Sequence, residues 1–265
     1  MTESIDFMTD EPTRPTQYTS ERVDRERRFH DALILSGKAS IATKEWWETP
    51  GGRVRFSRRI SLLKKHLPTV TAPSRHRILV IGCGDGEWVN TISEFADVVG
   101  IDISPEIVAN TNRHLRNPAA EVEVGDAHRL NYADGTFDVC FANSTLHHLD
   151  LHVALPEIRR VLRPGGRLIA GEPNRTNPLV WRMYRNSENR RRYGLTPDEE
   201  AFTRRSIRKL LQQNFDSVSV TCFDFWHPLF GQTDQESFVF RLLLAIERIP
   251  LVSEMSGSLW ISAQR

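Results

Sequence analysis

The run Ile78-Leu79-Val80-Ile81 leads without a break into Gly82-Cys83-Gly84-Asp85-Gly86, and a helical pattern follows at once. A continuous apolar run of this length suits a parallel strand buried on both faces. Three glycines in five residues suit a turn whose backbone must come close to something else, because a Cβ there would collide with it. From Arg77 onward, short apolar runs alternate with helical patterns, the signature of βαβ units and a parallel sheet. These features predict an α/β chain with a doubly wound, mostly parallel, seven-stranded Rossmann-like sheet.

The remaining strands are read from the same alternation. Val98 to Asp102, Glu121 to Val124, Phe137 to Phe141 and Arg167 to Ala170 read as strands two to five, and Ser217 to Phe225 and Ser258 to Ile261 as the last two. Ser104 followed by Pro105 is the favoured start of a helix, and Thr203 is a good N-cap for another. A helix over Leu151–Leu162 contains Pro156, which predicts a kink or irregular first turns. Residues 1–20 are polar with few apolar anchors and read as a flexible tail. Residues 21–70 read as an N-terminal helical lid, and 71–265 as the main domain with insertions at about 173–200 and 227–253.

Charge and cysteine content narrow the function classes. The formal net charge of +1 gives no global field that would favour nucleic acid or an anionic membrane. The longest apolar stretch, Leu242 to Ile246, is far short of the ~20 residues that span a bilayer. The N-terminus has no basic start followed by an apolar run, so the expectation is a cytoplasmic chain. Cys83, Cys140 and Cys222 lack metal or redox spacing and read as buried reduced thiols.

The glycine turn and Asp102, the acid ending the next strand, together point to a nucleoside. A carboxylate there can accept hydrogen bonds from two adjacent ribose hydroxyls. A tight packing turn followed by a helix-capping acid is the structural alternative. A dinucleotide fingerprint would read G-x-G-x-x-G. Here the spacing is G-x-G-x-G, with Glu87 and Trp88 where that fingerprint would want its third glycine, so a pyrophosphate would meet a carboxylate. An anionic ligand is disfavoured at that turn; a cationic one is not.

Four motifs in order resemble those of class I S-adenosylmethionine-dependent methyltransferases, especially the small-molecule group of ubiquinone and menaquinone methylases. They are Ile78 to Gly86, Val99 to Asp102, Gly125-Asp126-Ala127, and Arg160 to Gly166. The stretches Ala133 to Asp138 and Leu146-His147-His148-Leu149 are also similar to that group. The resemblance covers about residues 77–170 and implies S-adenosyl-L-methionine as cofactor. It would place Ile81, Gly82, Cys83, Gly84 and Gly86 along the methionine part, and Asp102 with Ile103 at the ribose. Asp126 and Ala127 would meet the adenine edge, and Asn143 the amino-acid end. One position departs: the acid that usually precedes the first glycine by two residues is Val80 here, so Glu87, backbone carbonyls or water must hold the cofactor's ammonium group.

The expected partner is a small-molecule methyl acceptor, with oxygen the favoured atom and with no nucleic acid and no membrane span. If that acceptor is a hydroxyl, a general base is needed, and His147, His148 and Glu172 lie at the carboxyl edge of strands four and five where ligands collect. A capping and packing role for the histidines, and an exposed loop carboxylate for Glu172, are the plain alternatives. Arg175, Arg182, Arg185, Arg190, Arg191 and Arg192, followed by Asp198, Glu199 and Glu200, could hold an anionic acceptor or form a solvated helix face. Residues 236–252 are richly apolar and could roof a pocket, form a homodimer contact or cover one end of the sheet. Trp46 and Trp47 suit an aromatic lid wall or ordinary packing. Competing functions are an aminopropyl transferase with a related glycine turn, and a macromolecule-directed or cofactor-sensing module using the arginines.

Overall fold

A computed structural model describes residues 19–35, 48–69, 75–186, 188, 190, 195, 196, 199, 201–225 and 237–265. The expected tail over residues 1–18, Trp46, Trp47, Arg191, Arg192, Asp198 and Glu200 lie outside the described residues.

Among the described residues, two helices precede the sheet, α1 (Ser20–Leu35) and α2 (Pro50–His66). The core then runs β1 (Arg77–Ile81), α3 (Glu87–Ile92), β2 (Asp97–Asp102), α4 (Pro105–Asn112), β3 (Glu121–Val124) and β4 (Phe137–Asn143). A single 3-10 turn (Leu146–His148), α5 (Leu151–Val161), β5 (Leu162–Pro173), α6 (Pro178–Arg185), α7 (Arg204–Leu211) and β6 (Ser217–Phe223) follow. The described chain closes with α8 (Phe238–Ile246), α9 (Pro250–Ser253) and β7 (Ser258–Gln264).

The strand order is β3-β2-β1-β4-β5-β7-β6 among the described residues. β3, β2, β1, β4 and β5 are mutually parallel, while β7 runs antiparallel between β5 and β6. Side chains alternate between the two faces of the sheet, and so does the core. Leu79, Ile81, Cys140, Ala142, Leu168 and Ala170 pack with Leu155 and Ile158 of α5 and Ile207 of α7. Ile78, Val80, Val139, Phe141 and Ile169 pack with Leu63 of α2 and Trp88 and Val89 of α3. Helices on both faces explain why the strands read as unbroken apolar runs rather than alternating ones.

Local signals carried over well. Ser104 Oγ accepts from Ile107 N with Pro105 in the first turn, and Thr203 forms a capping box with Ser206. Helix α5 continues through Pro156, with Asp150 capping its start, so the proline does not break it. β5 begins at Leu162, earlier than the apolar run suggests. Its pairing with β4 jumps from Phe137↔Leu162 to Val139↔Arg167, so Pro164-Gly165-Gly166 forms an irregularity inside the strand. No side chain of α8 is fully buried and Phe238 is 77% exposed, while Phe240, Leu243, Leu244 and Ile246 are half-buried. Cys83 and Cys140 are buried and Cys222 is half-buried, and all three are free thiols. No helix among the described residues is long and apolar enough to cross a membrane.

α2 is tied to the far end of the sheet by charge. Asp224, just past β6, accepts from Arg55 Nε at 2.7 Å and Arg59 Nη1 at 2.9 Å, and Arg59 Nη2 donates to Ser258 Oγ at 2.9 Å. Burial alone would raise the Asp224 carboxyl, but the two guanidinium groups override it and hold it down at about 2.

Candidate active site

The carboxyl ends of β1, β2, β3 and β4 open into a cavity of about 250 Å³. The order of strands reverses between β1 and β4, which leaves a crevice at the edge of the sheet where ligands of such folds collect. Its floor is the glycine turn. Gly82 has φ +70°, and a Cβ there would lie 2.5 Å from Thr145 Oγ1; Gly84 has φ +53°, and a Cβ there would meet nothing within 4 Å. The first glycine is required by the protein's own packing. The second faces open space, as a ligand-facing backbone must. The turn is held from behind by Ile101 O, which accepts from Gly82 N and Cys83 N at 2.9 Å each, and by Thr111 Oγ1, which donates to Gly84 O at 2.6 Å.

Asp102 stands at the end of β2 with both carboxylate oxygens oriented by backbone. Oδ2 accepts from Gly84 N at 3.2 Å and Oδ1 from Ser104 N at 3.1 Å. Burial raises its pKa even against these two amide donors. Such a group is stabilised further by any ligand that brings hydroxyl donors. After β3, Asp126 Oδ1 pairs with His128 Nδ1 at 2.6 Å, and Asp150 N donates to His128 Nε2 at 2.9 Å. Because Nε2 accepts, the network assigns the proton to Nδ1, which donates to Asp126 and fixes that turn.

Of the residues expected to hold the cofactor, Ile81, Gly82, Gly84, Asp102, Ile103, Asp126, Ala127 and Asn143 line this cavity. Cys83 and Gly86 do not. The Cys83 side chain turns into the core beside Val89, and Gly86 lies against Thr111. Glu87 is not on the wall either; it pairs with Arg116 at 2.5 Å on the surface. The Val80 side chain packs in the apolar cluster beneath α2 and α3. Asn143 lines the cavity, but its Oδ1 is buried against Gly171, where a Cβ would lie 2.8 Å away, and has no hydrogen-bond donor. Val80→Asp is therefore expected to lower stability, because the new carboxylate would be desolvated among Trp88, Phe141 and Ile169 without a partner. Thermal melts of the two proteins check this, and a higher melting temperature in the variant would contradict it.

The three candidate bases separate sharply. His148 lines the cavity, whereas His147 and Glu172 lie behind its wall. Glu172, 1% exposed rather than the exposed loop carboxylate weighed from sequence, accepts from Thr145 N at 3.0 Å and Leu146 N at 2.8 Å, and pairs with His147 Nδ1 at 2.6 Å. It organises the 3-10 turn that presents His148.

One side of the cavity is built by α1, which sequence reasoning read only as a lid. Glu26 and His30 stand four residues apart, hence on one helix face. Glu26 Oε2 lies 3.2 Å from His148 Nδ1 and 3.7 Å from His30 Nε2. Arg22 Nη2 donates to His148 O at 3.0 Å, and Asp31 takes a short hydrogen bond from Ser104. Glu199, from the insertion after β5, brings Oε1 to 3.4 Å from His148 Nδ1 and Oε2 to 3.7 Å from His147 Nε2. Thr196 ties the two acids together: its Oγ1 donates to Glu26 Oε1 and its N–H to Glu199 Oε1, both at 2.6 Å. Burial would lower the His148 pKa, but Glu26 and Glu199 raise it instead; burial and the neighbouring His148 lower that of His30.

Residues 79–170 match the methyltransferase domain family. The chain is 39% identical over 103 residues to the 27-O-demethylrifamycin SV methyltransferase of Amycolatopsis mediterranei, covering 36% of this chain and 38% of that one. It is 28% identical over 179 residues to an O-methyltransferase of Penicillium expansum, covering 64% of each. The chain thus spans less than two thirds of the length of these curated relatives. Among solved structures, an S-adenosylmethionine-dependent methyltransferase of Thermotoga maritima superposes with a TM-score of 0.63 at 17% identity, over 89% of this chain and 98% of that one. Residues 79–170 are thus similar to a methyltransferase domain, and the described chain shares its fold with a solved S-adenosylmethionine-dependent methyltransferase.

Proposed function

We propose that the chain transfers a methyl group from S-adenosylmethionine to an oxygen atom of a small molecule, with α1 as a lid over the acceptor. The observation that carries the reading is the pairing, in one cavity, of a backbone-oriented carboxylate at Asp102 with an open glycine wall at Gly84. Asn143, on the cavity wall, is the residue expected at the cofactor's charged end, where the usual acid is Val80. When bound, the cofactor supplies an electrophilic methyl carbon on a sulfonium. Asp102 holds the ribose hydroxyls, and the Asp126–Ala127 turn meets the adenine edge. The chain's main contribution is alignment and exclusion of water.

On the acceptor side, His148 handles the hydroxyl proton, because among the three candidate bases it alone faces the cavity. His147 and Glu172 are positioning residues acting through the turn. The names of the two curated relatives support oxygen as the acceptor atom.

Calorimetry with S-adenosylhomocysteine tests the reading. One site per chain is expected, and Asp102→Ala should weaken binding by about 1–3 kcal/mol, the range for lost hydrogen bonds to a charged group. No binding by the wild type at millimolar ligand would overturn it. The acceptor itself is sought by incubating lysate metabolites with methyl-labelled cofactor and following labelled products by mass.

A further inference from the structure

Two buried acids and three imidazoles meet where α1, the turn after β4 and the 173–200 insertion converge, and nothing in cofactor binding uses them. Glu26, His30 and His148 each bring one ligand atom within 4.8 Å of the others. His147, His148 and Glu199 form a second such group sharing His148. The separations of 3.2 Å (Glu26–His148), 3.4 Å (Glu199–His148) and 3.7 Å (Glu26–His30) can be set against a metal's geometry. Ligands bound at 2.0–2.2 Å in a tetrahedron stand about 3.4 Å apart. Imidazole nitrogen with carboxylate oxygen is the donor set of zinc and its first-row neighbours rather than of calcium or magnesium.

Two further observations point the same way. Glu199 is 1% exposed, and its Oε2 accepts no hydrogen bond, an expensive state for a carboxylate unless a cation is at hand. The donors are also oriented from behind as metal ligands usually are. Thr196 holds Glu26 Oε1 and so leaves Oε2 facing the histidines, while Glu172 holds His147 Nδ1 and so turns Nε2 toward Glu199.

We propose that Glu26, His30 and His148 bind one divalent transition-metal cation on the acceptor side of the cavity, with Glu199 as the neighbouring carboxylate beside His148. Glu26, His30 and His148 line that cavity, so a cation there is within reach of what enters it. Its role, which rests on the methyltransferase reading, is to bind the acceptor hydroxyl and lower its pKa. With the cation bound, His148 serves as a ligand and the hydroxyl proton leaves to water in its place, the oxygen forms its bond to the methyl carbon, and the methyl–sulfur bond breaks with its electron pair left on sulfur.

The experiment uses the full chain after dialysis against a chelator, titrated with zinc and manganese by calorimetry and with cobalt by visible absorption. One equivalent per chain is expected, with a cobalt spectrum of tetrahedral or five-coordinate N/O type. His30→Gln and Glu26→Gln should each weaken the metal by at least about tenfold, since even outer-shell losses cost 10–100-fold. Circular dichroism confirms that each variant is folded, and the pair guards against either one failing to fold. Absence of saturable binding by any of the three metals overturns the site, as does wild-type metal affinity in a folded His30→Gln. S-adenosylhomocysteine titrated into the same samples separates the two readings. Cofactor binding without metal binding removes only the metal site, and metal binding without cofactor binding removes only the methyltransferase reading.

Discussion

Asp224→Asn is expected to destabilise the protein by about 3–5 kcal/mol, the usual result of removing one partner from a buried ion pair. The side chain is 2% exposed and serves both Arg55 and Arg59, so its loss leaves two cations with an amide in place of a carboxylate. Arg59 is already pushed down to about 10 by burial, which shows how little water it has to fall back on. The asparagine is a clean probe of charge. Asp224 has φ 73°, in the left-handed region, and asparagine tolerates that backbone at least as well. Urea denaturation at neutral pH measures the loss, and a change below about 1 kcal/mol would show that the guanidinium groups find other acceptors.

The same carboxylate predicts an acid limb. Its folded pKa, about 2, lies below the ordinary carboxylate value. The stability it contributes is therefore fully present above about pH 4 and is lost as pH falls toward 2. In Asp224→Asn, that part of the acid dependence should vanish. The two stability curves should then converge below pH 2.

His148→Asn carries the second large effect. With an acceptor from the labelled-methyl screen, turnover should fall by 10²–10⁴-fold, the span for losing the group that manages a transferred proton. Affinity for S-adenosylhomocysteine should stay within about threefold, because His148 pairs with Glu26 rather than with Asp102 or the glycine turn. Glu172→Gln separates positioning from chemistry. Glutamine cannot serve Thr145 N, Leu146 N and His147 Nδ1 as the carboxylate does. Its first effect should therefore be a lower melting temperature, with turnover reduced less than in His148→Asn. A Glu172→Gln protein of wild-type stability with a larger loss of turnover would instead make Glu172 the group that handles the proton.

Much of this was legible along the chain. Ile78 to Ile81, Val98 to Asp102 and Phe137 to Phe141 announced buried parallel strands, because helices cover both faces and leave no polar alternation. Ser104-Pro105 and Thr203 announced helix starts, because capping is decided within four residues. The edges were harder. β5 starts at Leu162 because Pro164-Gly165-Gly166 sits inside its pairing with β4, a tertiary fact that local punctuation masks. On the cofactor side, consecutive units place glycine turn, acid and Asp126 in order, so spacing alone brought most of that wall together. The acceptor side was illegible because it is assembled from α1, the 3-10 turn and Glu199, up to 173 positions apart. Only the four-residue spacing of Glu26 and His30 on a helix was available as a signal, and it acquires meaning only once His148 is seen opposite.

The two walls of the cavity are written in separate stretches of the chain. The methyltransferase match spans 79–170 and contains the glycine turn, Asp102, Asp126, Asn143 and His148, while Glu26 and His30 precede it and Glu199 follows it. On the proposed reading, substitutions in α1 or in the insertion would reshape what is methylated while leaving the proposed cofactor contacts intact. Exchange of those two segments between chains of this fold is the natural route to a new acceptor, and His148 is the hinge of compatibility that any transplanted segment must meet.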